Sequence, residues 1–380
     1  ELTNSRLPEG AVILGWQGLG NAALKAADKG LDFVMTPARI LYLIRYQGPQ
    51  WFEPLTYFGN NTMRGVYDYE PVQADWKPEY EKHLLGVQAS MWTEFCSTAT
   101  DVTYMVFPRL AALAEVAWSP KGAKDWEHFQ LGLDNYLAHL KKKGVVYAKS
   151  MFNIQHTVMP ENGKLRVKLE CERTDVKIRY TLDGREPDMC SLVYTEPLSL
   201  EKGITLRCAS FVGDMRKGEI LTLSLSDNKA TGKPVLGANP RTTLLTNGVR
   251  GSLRQSDFEW CTWDNLSSAT FTVDLQRVES IHKVVLGCLT NYGMAVHKPK
   301  NLTVEISEDN RRFTQVGQRE FSEEAIFRNG NYVEDVTFTF DKRKARYVRV
   351  TAKGFGACPA YHYMRPGQPA RYYFDEIQVE

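Results

Sequence analysis

The sequence predicts a multidomain chain in which an α/β segment is followed by two all-β sandwich domains. The first 150 residues alternate short apolar runs with stretches of helical propensity. Residues 155–227 and 241–380 instead place apolar residues at every second position, which is typical of half-buried strands. A segment with the composition of a linker covers 227–240. The predicted domains are 1–150, 151–228 and 229–380.

Three short apolar runs in the first domain, at 11–16, 31–36 and 83–90, predict strands that are buried on both faces. Residues 21–29 predict a helix between the first two, ending at Gly30. This β-α-β order predicts a parallel sheet covered by helices. Because three strands are too few to close a barrel, we expect the closing end of a larger unit whose beginning is absent from this chain.

Two longer helices are expected after the third strand. Residues 101–118 form the first, where Pro108 should produce a kink or mark the true first turn. The residues predicted for one face of this helix are Leu110, Leu113, Ala114 and Ala117. Residues 124–143 form the second helix, and the three lysines at its end predict a solvated cap that favours the helix dipole.

The second and third domains show the period of two that antiparallel strands require. Residues 165–169, 176–180 and 204–211 alternate in this way and predict a small immunoglobulin-like sandwich without clustered catalytic groups. The last domain contains further short strands, for example 302–306 and 345–350, which predict a jelly roll.

Composition excludes several functional classes. The chain has 47 basic and 45 acidic residues, a net charge of +2, which argues against a nucleic-acid binder that relies on bulk charge. No apolar run reaches the length of about 18 residues that a transmembrane helix needs. None of the seven cysteines is spaced C-x-x-C, so buried thiols are favoured, although one or two disulfides stay open if the protein is exported.

Aromatic and acidic residues cluster near the predicted strand ends of the first domain. Trp16 ends the first strand, Tyr42 follows the second by six residues, and Trp92 and Glu94 end the third. In β/α barrels these carboxyl ends form the active face. Each residue alone has a structural explanation, as a rim aromatic or a solvated carboxylate. Together they predict a sugar pocket, because sugar faces stack on rings and a carboxylate binds hydroxyls.

These residues belong to motifs that resemble a known family. Residues 86–94 resemble the G-x-Q-x-x-x-W-x-E signature of glycoside hydrolase family 20 β-N-acetylhexosaminidases, and residues 108–118 resemble the helix that follows it. Residues 42–43 and 45–47 resemble the Tyr-Leu-Asp segment of that family and its continuation. The resemblance covers 10–150 and implies a partial TIM barrel, consisting of its last strands and helices.

The two β domains resemble accessory modules of such enzymes. Residues 155–227 are similar to the small C-terminal sandwich of hexosaminidases. Residues 241–380 resemble an F5/8 type C, discoidin-like domain, a galactose-binding-like jelly roll, and they share its ending Asp375-Glu376-Ile377. This module combination is typical of exo-hexosaminidases from glycan-degrading gut Bacteroidetes. By analogy it implies a periplasmic, cell-surface or secreted protein.

The resemblance also implies roles for the clustered residues. Trp16 and Trp92 would wall the pocket for a terminal N-acetyl sugar, and Tyr42 would hydrogen-bond its acetamido group. Glu94 would hold the distal hydroxyls, and Trp51 would line an aglycone site. The expected partners are N-acetylhexosamine-containing glycans.

Two departures from the family pattern matter for activity. The catalytic Asp-Glu pair of the family usually lies in an H-x-G-G-D-E-like motif, which is not in this sequence. We therefore expect this chain alone to be inactive, with the pair supplied by a missing N-terminal part. The family uses substrate-assisted retaining catalysis through an oxazolinium intermediate and needs no metal. Second, Ile44 replaces the Asp of Tyr-Leu-Asp, which leaves open a carbohydrate-binding scaffold or a catalytically dead paralogue.

The last domain offers a candidate glycan-binding face. Its loops contain two groups of ring and polar residues: Phe258, Trp260 and Trp263, then Tyr361, His362, Tyr363, Arg365 and Arg371. Glycan contacts are predicted for Trp260, Tyr361, His362 and Arg365. The alternative is that the rings fill the space between sheets, with Trp263 and Phe258 as the expected core members.

A structural calcium ion is a further possibility in this domain. Asn247 and Glu376 lie where similar domains often hold calcium through oxygen ligands. Asn247 stands in place of an aspartate that is typical of the family, which weakens that site.

Overall fold

The computed structural model describes residues 7–120, 122–161, 163–264 and 268–380, which form two compact units. The first contains the described residues up to Gln155, Cys171–Ile178 and Ala209–Glu219. The second contains those of His156–Glu170, Arg179–Cys208 and Ile220–Glu380. The domain boundaries at 150 and 228 stay predictions. Within the described residues, no helix is both long enough and apolar enough to cross a membrane.

The first unit begins with an α/β region. Its strands are β1 (Ile13–Gly15), β2 (Phe33–Met35), β3 (Arg45–Tyr46), β4 (Tyr57–Asn60) and β5 (Leu84–Val87). Its α-helices are α1 (Leu24–Ala27), α2 (Met63–Tyr67), α3 (Ala99–Val106), α4 (Arg109–Trp118) and α5 (Trp126–Lys142). Short 3-10 turns lie at Asn21–Ala23, Gln50–Phe52, Pro78–His83 and Ser150–Phe152.

The three predicted strands form one parallel sheet in the order β1-β2-β5. Leu14 of β1 pairs with Val34 of β2, and Val34 pairs in turn with Gly86 of β5. Phe33 and Met35 are fully buried between this sheet and its covering residues. The parallel arrangement is therefore confirmed. The helix predicted over 21–29 is shorter, a 3-10 turn followed by the single turn α1.

The long helix predicted over 101–118 is two helices, α3 and α4, and Pro108 is the N-cap of α4. Proline has no backbone N–H to donate and fits at a helix start, so the prediction that Pro108 marks a first turn is confirmed. The predicted face of α4 is wrong except for Leu113. The helix buries Arg109, Ala112, Leu113 and Val116, whereas Leu110, Ala114 and Ala117 are exposed. The alanine side chains are too small to determine which face of α4 turns inward. The buried side chain of Arg109 determines that face.

The small β region has the predicted period of two. Its strands are β6 (Ile154–Glu161), β7 (Lys164–Cys171), β8 (Lys177–Thr181), β9 (Leu192–Val193), β10 (Leu198–Leu200), β11 (Thr205–Val212), β12 (Met215–Arg216) and β13 (Leu221–Ser224). One sheet has the order β10-β7-β6, and another has the order β12-β11-β8-β9 with β13 on β11. In β7 the side chains of Leu165, Val167 and Leu169 are buried and their neighbours are exposed.

The last domain is built on one large antiparallel sheet. Its strands are β14 (Val235–Gly237), β15 (Cys261–Asp264), β16 (Ser268–Asn291), β17 (Asn301–Ser307), β18 (Thr314–Glu320), β19 (Asn331–Lys353) and β20 (Arg371–Val379), with α6 at Glu323–Ile326. The sheet order is β15-β20-β16-β19-β17-β18, and β14 pairs with β16. Register shifts between Asp274 and Glu279 and between Ile281 and Lys283 interrupt the long β16–β19 pairing. Such shifts bend paired strands, which allows one sheet to enclose a core.

The two aromatic residues that the sequence predicts for the core of this domain, Trp263 and Phe258, have different environments. Trp263 is buried and lies 5.4 Å from Phe374 and 5.9 Å from Phe271 between ring centroids, which confirms its core position. Phe258 is 51% exposed, so its predicted core position is wrong. All seven cysteines are free thiols, and Cys190 is the exposed one among them.

A buried arginine holds the loops around the parallel sheet. Arg109 is 0% exposed and donates to four backbone carbonyls, those of Leu43, Arg45, Asn61 and Met105. The bonds to Arg45 and Asn61 are 3.0 and 2.8 Å long. Burial lowers the pKa of the Arg109 guanidinium, and the carboxylates of Glu53 and Glu172 oppose that shift. One side chain of α4 thus fixes the path of residues 43–61.

We expect the substitution Arg109→Met to destabilise the first unit. It leaves four carbonyls without their donor, and an unsatisfied buried polar group costs about 1–3 kcal/mol. The free energy of unfolding should fall by roughly 3 kcal/mol or more in chemical denaturation. Hydrogen exchange of backbone amides in residues 42–61 should accelerate. Arg39→Met is the control, because Arg39 is exposed. Equal stability of the two variants would contradict the role assigned to Arg109.

Candidate active site

A cavity of about 750 Å³ opens at the carboxyl ends of β1, β2 and β5. Trp16, Thr36 and Gln88 line it, and each is the first residue after one of these strands. Tyr42, Trp92 and Glu94 complete the part of the wall that the sequence predicts. The parallel sheet therefore brings together residues that are up to 78 positions apart, from 16 to 94.

The aromatic residues of the cavity leave ring surface open. Trp16 is 54% exposed and Trp92 is 53% exposed, which is unusual for side chains of this size. The ring of Tyr42 lies 6.2 Å from that of Trp92 between centroids, at 46°. Open aromatic faces beside polar groups suit a ligand that has both apolar faces and hydroxyls.

Hydrogen bonds fix Tyr42 against the end of β5. Leu43 N donates to Ser90 O at 2.8 Å, and Ser90 N donates to Leu41 O at 2.9 Å. The Tyr42 carbonyl accepts from Asn61 Nδ2 at 2.9 Å. This segment is consequently a rigid extension of the sheet, and Tyr42 is positioned by its backbone on both sides.

Four of the five predicted pocket residues line the cavity, and one does not. Trp16, Tyr42, Trp92 and Glu94 line the same cavity, whereas Trp51 is outside its lining and packs edge-on against Phe52 at 6.1 Å between centroids. The roles assigned to these residues stay predictions.

Sequence reasoning missed other residues of the cavity wall. Thr36 and Ser90 place their hydroxyl oxygens 3.0 Å apart, and Gln88 lies between Val87 and Ala89 at the end of β5. The rule that residues following parallel strands face the active edge could have found Thr36 and Gln88. Arg45 and Tyr57 also line the cavity, but only the pairing of β3 with β4 brings them there.

Two carboxyl groups with raised pKa values lie in the same unit as the cavity. Burial raises the pKa of Glu53, which accepts from Tyr104 Oη at 3.1 Å. Burial also raises the pKa of Glu172 to about 7, and its Oε1 accepts from the backbone N–H of Arg64. Neither residue lines the cavity, so we interpret both as structural carboxyl groups.

The predicted glycan face of the last domain is only partly exposed. Trp260 is 0% exposed, donates from Nε1 to Ser252 O at 3.0 Å, and lies against Gly251, where an added Cβ would come within 2.4 Å of the ring. The prediction that Trp260 offers its ring to a sugar is therefore wrong in this arrangement. Tyr361 is 61% exposed and Arg365 is half-buried, so both keep surface for a ligand.

His362 is also fully buried, and its predicted glycan contact is wrong for the same reason. Its Nε2 lies 3.2 Å from Nε2 of His297, and its Nδ1 accepts from Arg365 N at 3.0 Å. Nδ1 of His297 lies 3.1 Å from Ile326 O, so that nitrogen donates. These partners assign two neutral rings, in which Nε2–H of His362 donates to Nε2 of His297.

This histidine pair forms a cluster with Cys358, and the three possible ligand atoms lie within 4.8 Å of one another. A metal ion would need an unprotonated Nε2 on both rings. The backbone N–H of Arg365 occupies the lone pair of Nδ1 on His362, so the proton resides on Nε2. The hydrogen bonds therefore fit a structural histidine pair better than a metal centre.

Glu376 is one of the two residues that the sequence offers as possible ligands of a structural calcium ion. Glu376 is 0% exposed, and its Oε2 accepts from Gly248 N at 2.8 Å. Its Oε1 lies 3.3 Å from Thr231 Oγ1 and 3.4 Å from Asn228 Nδ2. Asn228 presents nitrogen there, because its Oδ1 accepts from Ala230 N at 2.8 Å.

Asn247 is likewise committed to protein partners. Its Oδ1 accepts from Val249 N at 3.0 Å, and its Nδ2 donates to Glu259 Oε2 at 2.6 Å. Calcium takes six to eight oxygen ligands, and the groups that face Glu376 are mainly hydrogen-bond donors. The residues as arranged do not fit a calcium ion.

Comparison with known proteins identifies three matched regions. Residues 1–121 match the model "Glycosyl hydrolase family 20, catalytic domain". Residues 160–222 match "Chitobiase/beta-hexosaminidase C-terminal domain", and residues 237–363 match "F5/8 type C domain". These matches confirm the multidomain fold class and the family resemblance of each region.

Several proteins that are similar to this chain are named as hexosaminidases or N-acetylglucosaminidases. The chain is 31% identical over 210 residues to "Beta-hexosaminidase" of Porphyromonas gingivalis, covering 52% of this chain and 26% of that protein. It is 32% identical over 133 residues to "Beta-N-acetylhexosaminidase" of Cellulomonas fimi, covering 34% and 26%. The crystal structure of the GH20 exo beta-N-acetylglucosaminidase from Vibrio harveyi with N-acetylglucosamine has 34% identity, coverage of 37% and 22%, and a TM-score of 0.33. The chain spans about a quarter of the length of these two curated relatives.

We expect acid to destabilise the last domain through its histidine pair. Burial lowers the pKa of His297 to about 4 and that of His362 below its ordinary value. A depressed histidine pKa stabilises the folded state above about pH 6.5, and this contribution disappears as the pH falls towards 4. Wild type should lose up to about 3 kcal/mol over that range that His297→Gln does not lose.

The measurement is urea denaturation of both proteins between about pH 7 and pH 4.5. Burial raises the pKa of Asp375 to about 6 and that of Glu376 to about 8, which gives the opposite pH trend. Both groups are present in both proteins, so the difference between the two curves isolates His297. Parallel curves would show that His297 does not titrate in this way.

Proposed function

We propose that this chain, whose residues 1–121 belong to the catalytic domain of glycosyl hydrolase family 20, is the C-terminal portion of an exo-acting β-N-acetylhexosaminidase. The observation that carries the proposal is the cavity at the ends of three parallel strands, lined by Trp16, Tyr42, Trp92 and Glu94. The parent enzyme would remove terminal β-linked N-acetylglucosamine or N-acetylgalactosamine by the substrate-assisted, retaining route of the family.

The geometry of the cavity supports a role for each residue. The open faces of Trp16 and Trp92 suit the apolar faces of a pyranose ring. Tyr42 has its backbone fixed by Ser90 and Asn61, so its hydroxyl can hold an acetamido oxygen without loss of backbone entropy on binding. Glu94 is the carboxylate among the lining residues, and its oxygens can accept from sugar hydroxyls.

We place the catalytic Asp-Glu pair in an N-terminal part of the same enzyme, supplied covalently or as a second chain. Parallel strands are normally covered on both faces, yet Leu14 of β1 and Leu85 of β5 are 50% and 58% exposed. Three strands cannot close a barrel. The remaining barrel strands and helices are the occupant that fits these exposed residues.

The other two regions act as accessory modules in this proposal. The β sandwich and the F5/8 type C region have no role in the barrel chemistry, and glycan contacts of the latter would use Tyr361 and Arg365. A periplasmic, cell-surface or secreted setting suits an enzyme that acts on glycans.

A second candidate is a sugar-binding protein or inactive paralogue. Ile44 favours it, because this residue lines the cavity, is 2% exposed, and cannot accept hydrogen bonds from sugar hydroxyls. The assay below separates the two candidates.

The first test is hydrolysis of an aryl β-N-acetylglucosaminide by these 380 residues and by the natural gene product that contains them. We expect activity in the gene product only, since the catalytic pair lies outside this sequence. Activity in neither protein would favour the sugar-binding or inactive alternative. Activity of the 380 residues alone would show that the assignment of the missing acid is wrong.

A second test examines the aromatic wall in the same gene product. Trp92→Ala should weaken binding of N-acetylglucosamine about tenfold, which corresponds to about 1.4 kcal/mol, because the sugar loses an apolar stacking surface. Trp118→Ala is the matched control, since Trp118 is 88% exposed and outside the cavity lining. Binding would be measured by calorimetry. An equal effect of both substitutions would argue against a sugar at the Trp92 wall.

A further inference from the structure

Another cavity, the sheet-end groove, has a volume of about 740 Å³ and opens where β17 ends in the last domain. It lies between the turn that joins β17 to β18, residues 308–313, and residues 340–344 of β19. The proposed glycan contacts Tyr361 and Arg365 belong to the loop that follows β19, at the opposite end of the β17–β19 pair. The seven residues of β17 separate these two ends by about 20 Å.

The turn beside the groove is fixed by the carboxylate of Asp309. Its Oδ1 accepts from the backbone N–H groups of Arg312 and Arg311, both at 2.9 Å, and from the hydroxyl of Ser307 at 3.0 Å. These hydrogen bonds lower the pKa of Asp309 to about 2, so the carboxylate stays ionised far below neutral pH. Ser307 Oγ also accepts from the backbone N–H of Asn310 at 3.0 Å. The turn therefore presents the side chain of Arg312 to the groove from a fixed backbone.

An irregularity in β19 forms the facing wall of the groove. Ile281 of β16 pairs with Arg343, whereas Lys283, two positions later, pairs with Thr339, four positions earlier. The extra residues of β19 form a bulge, and bulges change the direction in which side chains point. The residues of this segment that line the groove are Phe340, Asp341, Arg343 and Lys344. A regular strand alternates its faces and would not present such adjacent residues to one side.

The cations of the groove lack the partners that neighbouring cations have. Further along β19, Arg346 forms a bidentate ion pair with Asp274. Arg349 forms a second such pair with Glu305. The cations that line the groove are Arg312, Arg343 and Lys344. All three are exposed, and within the residues that the structure describes none of them forms an ion pair. Their charges are consequently open to a ligand.

The groove also contains carboxylates, and these restrict the class of ligand. Asp309 holds the turn, and Glu308 and Asp341 are the other two. Thr314 and Gln315 add neutral polar groups. Guanidinium and ammonium groups only donate hydrogen bonds and therefore bind oxyanions, whereas carboxylates only accept and need a donor such as a hydroxyl. Inorganic polyphosphate offers oxyanions without such donors. An acidic glycan offers both, because its sugar rings carry carboxylate or sulfate groups beside free hydroxyls.

We propose that the sheet-end groove is a binding site for an acidic glycan chain, one that carries carboxylate or sulfate groups. The three groove cations bind its oxyanions, and the carboxylates of Glu308 and Asp341 accept from its hydroxyls. The volume of the groove lies within the range of ligand sites, roughly 300–1,000 Å³. The site goes beyond the proposed function, because it depends neither on the cavity at the ends of the parallel strands nor on hydrolysis.

The experiment is calorimetric titration of the whole natural gene product that contains these residues. The acidic probes are alginate oligosaccharides, which carry carboxylates, and dextran sulfate oligosaccharides. Neutral dextran oligosaccharides and inorganic polyphosphate are the comparison probes. None of them contains an N-acetylhexosamine, so binding at the strand-end cavity does not contribute. We expect at least one acidic glycan to bind about tenfold or more tightly than dextran and polyphosphate.

Two double variants locate the site. Arg312→Met with Arg343→Met removes two charge-assisted contacts and should weaken binding of the acidic glycan about tenfold or more. Lys300→Met with Lys353→Met is the matched control, because both lysines are exposed, lie outside the groove lining and adjoin the opposite end of β17. It removes the same charge and should leave binding unchanged. Melting temperatures verify folding. If the first variant is unfolded, Arg312→Lys with Arg343→Lys decides the test, since it keeps the charge, loses the planar fork and should bind more weakly than wild type.

Several outcomes would overturn the proposal. One is that neither acidic glycan binds wild type more tightly than dextran does. Another is tighter binding of polyphosphate than of both acidic glycans, which would indicate a phosphate site. Unchanged binding in the arginine variants, or an equal loss in the lysine control, would show that general surface charge is responsible. Each of these outcomes leaves the proposed function intact, because hydrolysis of the aryl β-N-acetylglucosaminide is measured separately.

Discussion

The positions of the cavity residues depend on one buried cation, the guanidinium of Arg109. It donates hydrogen bonds to a segment that has little regular secondary structure. Residues 43–61 contain only the short strands β3 and β4 and a 3-10 turn, so their carbonyls have few regular partners. Arg109 supplies hydrogen bonds to three of these carbonyls, at Leu43, Arg45 and Asn61, and anchors them to α4. Tyr42 and Arg45 are fixed in position because the carbonyls of Leu43 and Arg45 accept hydrogen bonds from Arg109.

This constraint determines what the cavity can and cannot do. The sheet ends and the Arg109-bound loop together present aromatic rings, hydroxyls, one carboxylate and one guanidinium. Such a set binds and orients a ligand. Glycoside hydrolysis also requires a proton donor at the leaving oxygen and a group that orients the nucleophile, and one carboxylate cannot serve as both. The single carboxylate of the lining suits a binding wall, which supports the proposal that the reacting groups lie in another part of the parent enzyme.

Local sequence patterns predict part of this structure correctly. Features that depend on contacts between distant residues could not be predicted in this way. Strands β1, β2 and β5 and the period of two in β7 arise from local patterns, and these were predictable. Trp16, Trp92 and Glu94 were found because residues that follow parallel strands share one edge. The inward face of α4 was not predictable, because it depends on where the Arg109 side chain finds its carbonyls. Trp260 was predicted at the surface but is buried, and Phe258 was predicted in the core but is exposed. Neighbouring aromatic residues in a loop have no sequence period that indicates which of them faces the core.

Ile44 and Arg45 acquire a different meaning when they are considered together. Loss of an acceptor at position 44 alone would suggest a weakened or inactive sugar site. Yet the next residue extends a cation into the same cavity, with its backbone fixed by Arg109 and its ring contacts supplied by Tyr57 and Phe58. Desolvation of this charge costs free energy, and its contacts with the two rings offset that cost in part. The two residues together replace a potential acceptor with apolar surface at position 44 and place a cation beside it in the cavity wall.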